Sequence, residues 1–281
     1  MKLVLSCCTL FLAILGSVSA QMVEPLALYD DFNSTNIDAG KWSANQTGAP
    51  LDVAREIRGE RRLRLAARSV GILSGPFGSA ASRVRLLFAN PDAVEAIKAT
   101  VLVREVTATG CTGNPTATVA RTRLSGFFFN TNTQGPPTPG DGTNDVFASA
   151  QIVRSSIDGD PEGILRVQGR VFLCGNSACD SVTLLSAQGA VDLGTMSVGE
   201  RVRLRIQWDK LLKLFIFQRD NEPEVSVSYL GVVADTFGPG IRSKRVELAH
   251  DPANCSGPGS EASMEVFVNN VLVNASAAPG P

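Results

Sequence analysis

Guanidinium and amide side chains recur at every second position in two stretches of this chain, and that spacing puts them on one face of an extended strand. In Ile164 to Leu173, Arg166, Gln168 and Arg170 fall opposite Leu165, Val167, Val171 and Leu173. In Val119 to Phe129, Arg121, Arg123 and Phe127 fall opposite Leu124 and Phe128. A planar guanidinium fork matches carboxylate and sulfate groups, and the amides of Gln151 and Gln168 add neutral donors and acceptors. Tyr229 and Phe127 are the aromatic rings left over for stacking, because Trp42 and Trp208 sit among apolar neighbours expected in a core. Arg121, Arg123, Gln151, Arg166, Gln168, Arg170 and Tyr229 therefore form the expected ligand-binding set.

Acid–base chemistry is poorly served. Asp220, Glu222 and Glu224 alternate, but Asn221 and Pro223 between them make a turn, not a strand. The single histidine, His250, precedes Asp251-Pro252 and reads as the end of a strand. Asp141 and Asp145, in Asp-Gly-Thr-Asn-Asp, supply hard oxygen ligands on a short turn and suggest a structural calcium ion, as does Asp158-Gly-Asp160; neither has EF-hand spacing.

The elements that must carry these residues are strands. The clearest is Arg201 to Asp220, where Val202, Leu204, Ile206 and Trp208 alternate with Arg201, Arg203, Arg205 and Gln207, turn at Asp209-Lys210, and return through Leu212, Leu214 and Ile216 on one face and Lys213, Phe215, Phe217 and Arg219 on the other. Similar segments at 28–32, 61–67, 83–89, 95–107, 117–130, 144–155, 163–174, 180–186, 224–229, 242–249 and 261–273 give roughly a dozen strands, the pattern of two packed antiparallel sheets. Residues 91–98 allow one helical turn, and 131–143, rich in Gly and Pro, must be a loop.

Lys2, the apolar run Leu3 to Gly16 and Ser17-Val18-Ser19-Ala20 read as a secretory signal, residues 1–20, which would also remove Cys7 and Cys8. Residues 21–274, about 250 in number, suffice for one large sandwich, and 275–281 read as a frayed tail. No later segment is long and apolar enough to span a bilayer. A net charge of −1 excludes a global field for nucleic acid. Of the 26 basic residues, 20 are arginine, so placement matters more than net charge. Four cysteines remain; in an exported chain they favour disulfides, and four allow three connectivities. Cys174 and Cys179 would pin a short loop, leaving Cys111 with Cys255. With one histidine and no CxxC, zinc is disfavoured. Asn-x-Ser/Thr occurs at Asn33, Asn45 and Asn274.

The opening Asp30-Asp31-Phe32 with Lys41-Trp42, the closing run Ser263 to Val273, and Gly199 to Asp209 between them resemble concanavalin A-like lectin/glucanase domains. The resemblance implies a two-sheet antiparallel jelly-roll β-sandwich, terminal strands side by side, and polysaccharide bound or cleaved on one concave sheet. The Glu-x-Asp-x-x-Glu strand of family 16 glucanases is absent. A lyase on the same scaffold would use Arg, Asn or Gln against a uronate carboxylate and Tyr or His for the proton; Arg121, Arg123, Gln151, Tyr229 and His250 are of those types, and Arg245-Val246-Glu247-Leu248 only faintly resembles a lyase motif. The expectation is a secreted, non-catalytic protein whose partner is an extracellular polysaccharide, the alternatives being a polysaccharide-degrading enzyme or an adhesive surface protein.

Overall fold

The computed structural model describes residues 24–59, 61–71, 81–113, 115–186, 189–255 and 259–280; the signal-like segment 1–20 lies outside them. Sixteen strands follow in order: β1 (Leu26–Asp30), β2 (Trp42–Thr47), β3 (Leu51–Arg58), β4 (Arg62–Val70), β5 (Ser82–Phe88), β6 (Ala96–Thr109), β7 (Val119–Asn130), β8 (Asp145–Ser155), β9 (Ile164–Cys174), β10 (Val182–Leu184), β11 (Val191–Ser197), β12 (Arg201–Asp209), β13 (Leu214–Arg219), β14 (Val225–Ser228), β15 (Lys244–Asp251) and β16 (Glu261–Asn274). They form two eight-stranded antiparallel sheets. Sheet A runs β14-β13-β12-β6-β16-β4-β3 with β1 also on β16, and sheet B runs β10-β9-β8-β7-β15-β5-β2 with β11 also on β9. The expected all-β sandwich is the fold, and its first and last strands pair, Leu26 opposite Asn274 and Leu28 opposite Leu272.

Alternation explains the sandwich: Leu204, Ile206, Val266 and Val268 of sheet A and Leu124, Ile152, Leu165 and Leu248 of sheet B are all fully or almost fully buried in one core. Gly169 of β9 faces Phe217 of β13 across the core; a Cβ there would lie 2.5 Å from the ring, so only glycine fits. At the chain's entry, Asp30 accepts hydrogen bonds from Phe32 N (2.9 Å) and Trp42 Nε1 (2.6 Å), while Trp42 meets Tyr29 edge-on at 5.1 Å. The opening motif is thus a structural knot, and Trp42 is core as expected.

Several details differ from the sequence expectation. The short edge strand β2 escaped notice because five of its six residues are exposed, leaving no buried alternation; β3 and β11, also lacking clear alternation, were missed likewise. The central hairpin turns over residues 210–213, not at Asp209-Lys210, and Lys213 takes φ 56°. This leaves Leu212 exposed at the tip while Phe215 and Phe217 face the core. The tail is not frayed over its described part: Ala275–Ala277 form a 3-10 helix, Ala277 is buried, and Asn90 Nδ2 donates to its carbonyl. Asn274 is likewise buried, its side chain accepting from Glu95 N and donating to Ala93 O, so it is closed to glycosylation. The disulfides are Cys111–Cys255 and Cys174–Cys179, the expected pairing.

Candidate functional site

Strand register gathers the expected residues on the outer face of sheet B. Gln151 of β8 lies opposite Arg123 of β7 and Gln168 of β9; Arg123 lies opposite Glu247 of β15; Glu247 lies opposite Arg85 of β5; and Arg85 lies opposite Asn45 of β2. With Asp192 of β11 opposite Gln168 this is one polar row across seven strands. At the usual strand spacing the row is about 29 Å long. Two flanking rows hold Arg83, Arg121 and Arg166 on one side, and Arg245, Ser125, Ser149 and Arg170 on the other. Beyond the second, Phe127, Phe147 and Phe172 make an aromatic wall, with Phe147 stacked on Phe172 at 4.8 Å.

Although these side chains point away from the core, they enclose one another. Glu247 has 0% exposure and the Arg123 side chain only 10%. Glu247 is the hub: its Oε1 accepts from Arg123 Nε (2.5 Å), Arg245 Nε (2.9 Å) and Ser125 Oγ (2.8 Å), and its Oε2 from Arg85 Nε (3.1 Å). Burial alone would push this carboxyl up, but the guanidinium groups of Arg123, Arg245 and Arg85 together hold it well below the usual carboxylate range. Asp251, two residues beyond Ala249 on the same face, pairs with Arg83 at 2.8 Å and with Arg121.

The cations outnumber these acids. Arg83, Arg85, Arg121, Arg123, Arg170 and Arg245 crowd around two carboxylates, Glu247 and Asp251. Burial, then repulsion from Arg123, Arg83 and Arg170, pushes Arg121 well down, and burial brings Arg123 to about 10. Arg123 therefore remains a cation at neutral pH. Polar atoms also go unmatched: Arg121 Nε, Ser149 Oγ, Gln151 Oε1 and Arg170 Nε are buried without a hydrogen-bond partner. Each such atom costs about 1–3 kcal/mol unless something outside the chain satisfies it.

Of the expected ligand-binding residues, Arg121, Arg123, Gln151, Gln168 and Arg170 share this face. Arg166 lies at its margin and is engaged, its Nε donating to Asp160 Oδ2 (2.7 Å) and its Nη2 to Asp158 O (3.0 Å). Tyr229 does not belong: it is buried between Phe129 and Phe215, accepts from Trp208 Nε1 (2.9 Å) and donates to Asp235. It follows β14 of the other sheet, so its ring fills the core. Both acids of the calcium expectation are engaged by donors of the chain. Asp145 is buried and its carboxylate accepts from Asn130 Nδ2, Gly240 N and Ile241 N, while Asp141 Oδ1 accepts from Thr143 N. Both acids fasten the 131–143 loop, and no group of three or more acidic, His or Cys side chains gathers at a common point among the described residues. Arg83, Arg85, Ser149, Arg245, Glu247 and Asp251 were missed as site residues. Arg-Val-Arg at 83–85 and Arg-Val-Glu at 245–247 carry the same period-2 signal and could have revealed them.

Sheet A's outer face carries an open groove of about 910 Å³ lined by Arg58, Arg62, Arg64, Arg104, Glu265 and Phe267 among others. Arg64 there bonds both Glu56 (2.7 Å) and Glu265 (2.8 Å), and Arg58 and Arg104 also have acidic partners. None of its lining residues has a buried polar atom left unpartnered. Elsewhere on sheet A, Arg205 Nε and Arg219 Nε are buried without a hydrogen-bond partner, but among the described residues only on sheet B do several such atoms gather with the expected ligand-binding residues.

His250 lies on the opposite side of β15 from Glu247, between the sheets, with Nδ1 3.2 Å from Ser69 Oγ. Burial, and then Arg83 and Arg121, lower it to about 3. Below its ordinary 6.5 the unfolded chain takes up a proton that the folded chain refuses, so stability falls as pH falls through that window. The expected slope is about 1.4 kcal/mol per pH unit. Urea unfolding between pH 7 and pH 5 should show it in the native protein and lose it in His250→Asn; an unchanged slope would assign the effect elsewhere.

No protein-family model matches the chain. No curated protein matches either. Solved structures that align with it include a glycoside hydrolase family protein from Mycobacterium thermorestibile (11% identity, 86% of this chain and 97% of that one, TM-score 0.46). The catalytic domain of an endo-1,3-beta-glucanase (laminarinase) from Thermotoga petrophila aligns at 11% identity over 89% and 98%, TM-score 0.43. A winged bean acidic lectin aligns at 11% over 89% and 99%, TM-score 0.33. At these identities and scores the likeness is one of architecture and carries no chemistry across. The two eight-stranded antiparallel sheets, with the first strand paired to the last, have the two-sheet architecture and adjacent terminal strands that the sequence resemblance implied.

Proposed function

We propose that this is a secreted, non-catalytic protein that binds an extracellular polysaccharide across the outer face of sheet B. The observation that carries the reading is the seven-strand polar row with its two flanking rows, in which buried atoms of Gln151, Ser149, Arg121 and Arg170 have no partner. A row about 29 Å long suits an extended chain of sugars, whose many hydroxyls need planar donors and acceptors in register. The signal-like leader and the two disulfides favour an oxidising, extracellular setting.

Hydrolysis is disfavoured by geometry and charge. Glu247 and Asp251 stand four residues apart on one strand, about 13 Å along it, where glycosidase acid pairs need roughly 5–9.5 Å. Glu247 also cannot serve as a general acid, because three guanidinium groups keep it ionised. A lyase would need a Tyr or His at the face, and the chain's two tyrosines and one histidine are all interior.

Glycan-array binding of the purified chain tests the reading. The native protein should bind at least one polysaccharide, and the double variant Gln151→Ala/Gln168→Ala, with unchanged circular dichroism, should bind it at least tenfold more weakly. A folded native protein that binds no glycan, or a double variant that binds normally, would overturn it.

A further inference from the structure

We infer that the polysaccharide is an acidic one, and that Arg170, with Ser149 beside it, is the subsite that receives its carboxylate or sulfate group. This rests on the glycan-binding reading of the same face and adds to it the ligand's charge and the residue that reads it.

Among the six guanidinium groups crowded on the face, Arg170 is the exception. Arg85, Arg123 and Arg245 share Glu247, and Arg83 and Arg121 share Asp251. Among the described residues no carboxylate pairs with Arg170, and its Nε is buried with no partner. Directly opposite it in the register stands Ser149, fully buried, whose Oγ is also unpartnered. The half-buried guanidinium of Arg170 is the donor that an anionic oxygen would complete, and the buried Ser149 hydroxyl lies beside it without neutralising it. The wider field agrees, because at Arg121 the repulsion from Arg123, Arg83 and Arg170 is only partly offset by Glu247, and added negative charge would relieve it further. Two residues along β9, on the same side, Phe172 is half-buried and stacked on Phe147. At about 7 Å from Arg170 along the strand it offers an apolar surface for the flat side of the sugar ring that bears the charge.

Arg166 supplies an internal control. It lies four residues away on the same strand and the same face, but Asp158 and Asp160 already neutralise it.

The test is titration of the full chain with polygalacturonate, dextran sulfate and uncharged dextran, alongside Arg170→Ala, Arg170→Lys and Arg166→Ala. The native protein should bind a charged polymer at least tenfold better than dextran. Arg170→Ala should lose at least tenfold of that affinity and Arg170→Lys should retain part of it, while Arg166→Ala stays within twofold of native. Polygalacturonate binding fading as pH drops below about 4, with dextran sulfate unaffected, would identify carboxylate as one source of the charge. Dextran binding as tight as the charged polymers, or equal losses in the Arg170→Ala and Arg166→Ala variants, would overturn the acidic subsite and leave a glycan-binding face. Binding of none of the three, in a protein that binds no other glycan, would remove both.

Discussion

Replacing Glu247 by glutamine is expected to destabilise the fold by about 3–5 kcal/mol, the usual consequence of removing one partner from a buried charge network. The carboxylate holds Arg85, Arg123 and Arg245 at once and is fully buried. Glutamine keeps the size and one acceptor oxygen but removes the charge that reconciles three cations. Urea denaturation reads the effect as a lowered midpoint with unchanged slope. The acidic-ligand proposal adds a second expectation: a bound polyanion should raise the melting temperature of Glu247→Gln more than that of the native protein, because it supplies the charge the variant lacks. A loss under 1 kcal/mol would show that Glu247 is not the hub of this face.

The second large effect concerns Cys111–Cys255, which closes a separation of 144 residues. On the chain-entropy relation a loop of that length stabilises by about 5 kcal/mol, whereas the separation of 5 at Cys174–Cys179 gives about 2. The Cys111→Ser/Cys255→Ser variant should therefore lose more than twice the stability of Cys174→Ser/Cys179→Ser, read as urea midpoints under non-reducing conditions. Equal losses would mean that local packing, not loop closure, sets the contribution. The shorter bridge sits at the end of β9 beside Phe127 and Phe147, so its removal should weaken ligand binding more than it weakens the fold.

Alternation carried most of the architecture. Val202, Leu204 and Ile206, or Leu165, Val167 and Val171, announce a strand and its buried side in any context, because period 2 is a property of the extended backbone itself. Strands with little exposed–buried contrast, such as β2, gave no such signal. Nor did β8, buried on both sides, announce that its polar Ser149 lies on the same outer face of sheet B as Gln151, since burial on both sides erases the distinction. Tyr229 shows the opposite error: a lone aromatic near a strand end has no period to assign its side, and the other sheet's Phe215 claimed it.

From residue order alone came the class of fold, the cysteine pairs, and five of the side chains that meet on one surface, since each depends on local backbone geometry or short-range spacing. Only the assembled sheets decided which arginines share a carboxylate and which stand alone. Glu247 is more than 120 positions from Arg123 and about 160 from Arg85, and strand order, not sequence, makes them neighbours. The same tertiary pairing spends Arg166 on Asp158 and Asp160 and leaves Arg170 free, although both occupy the same face of the same strand.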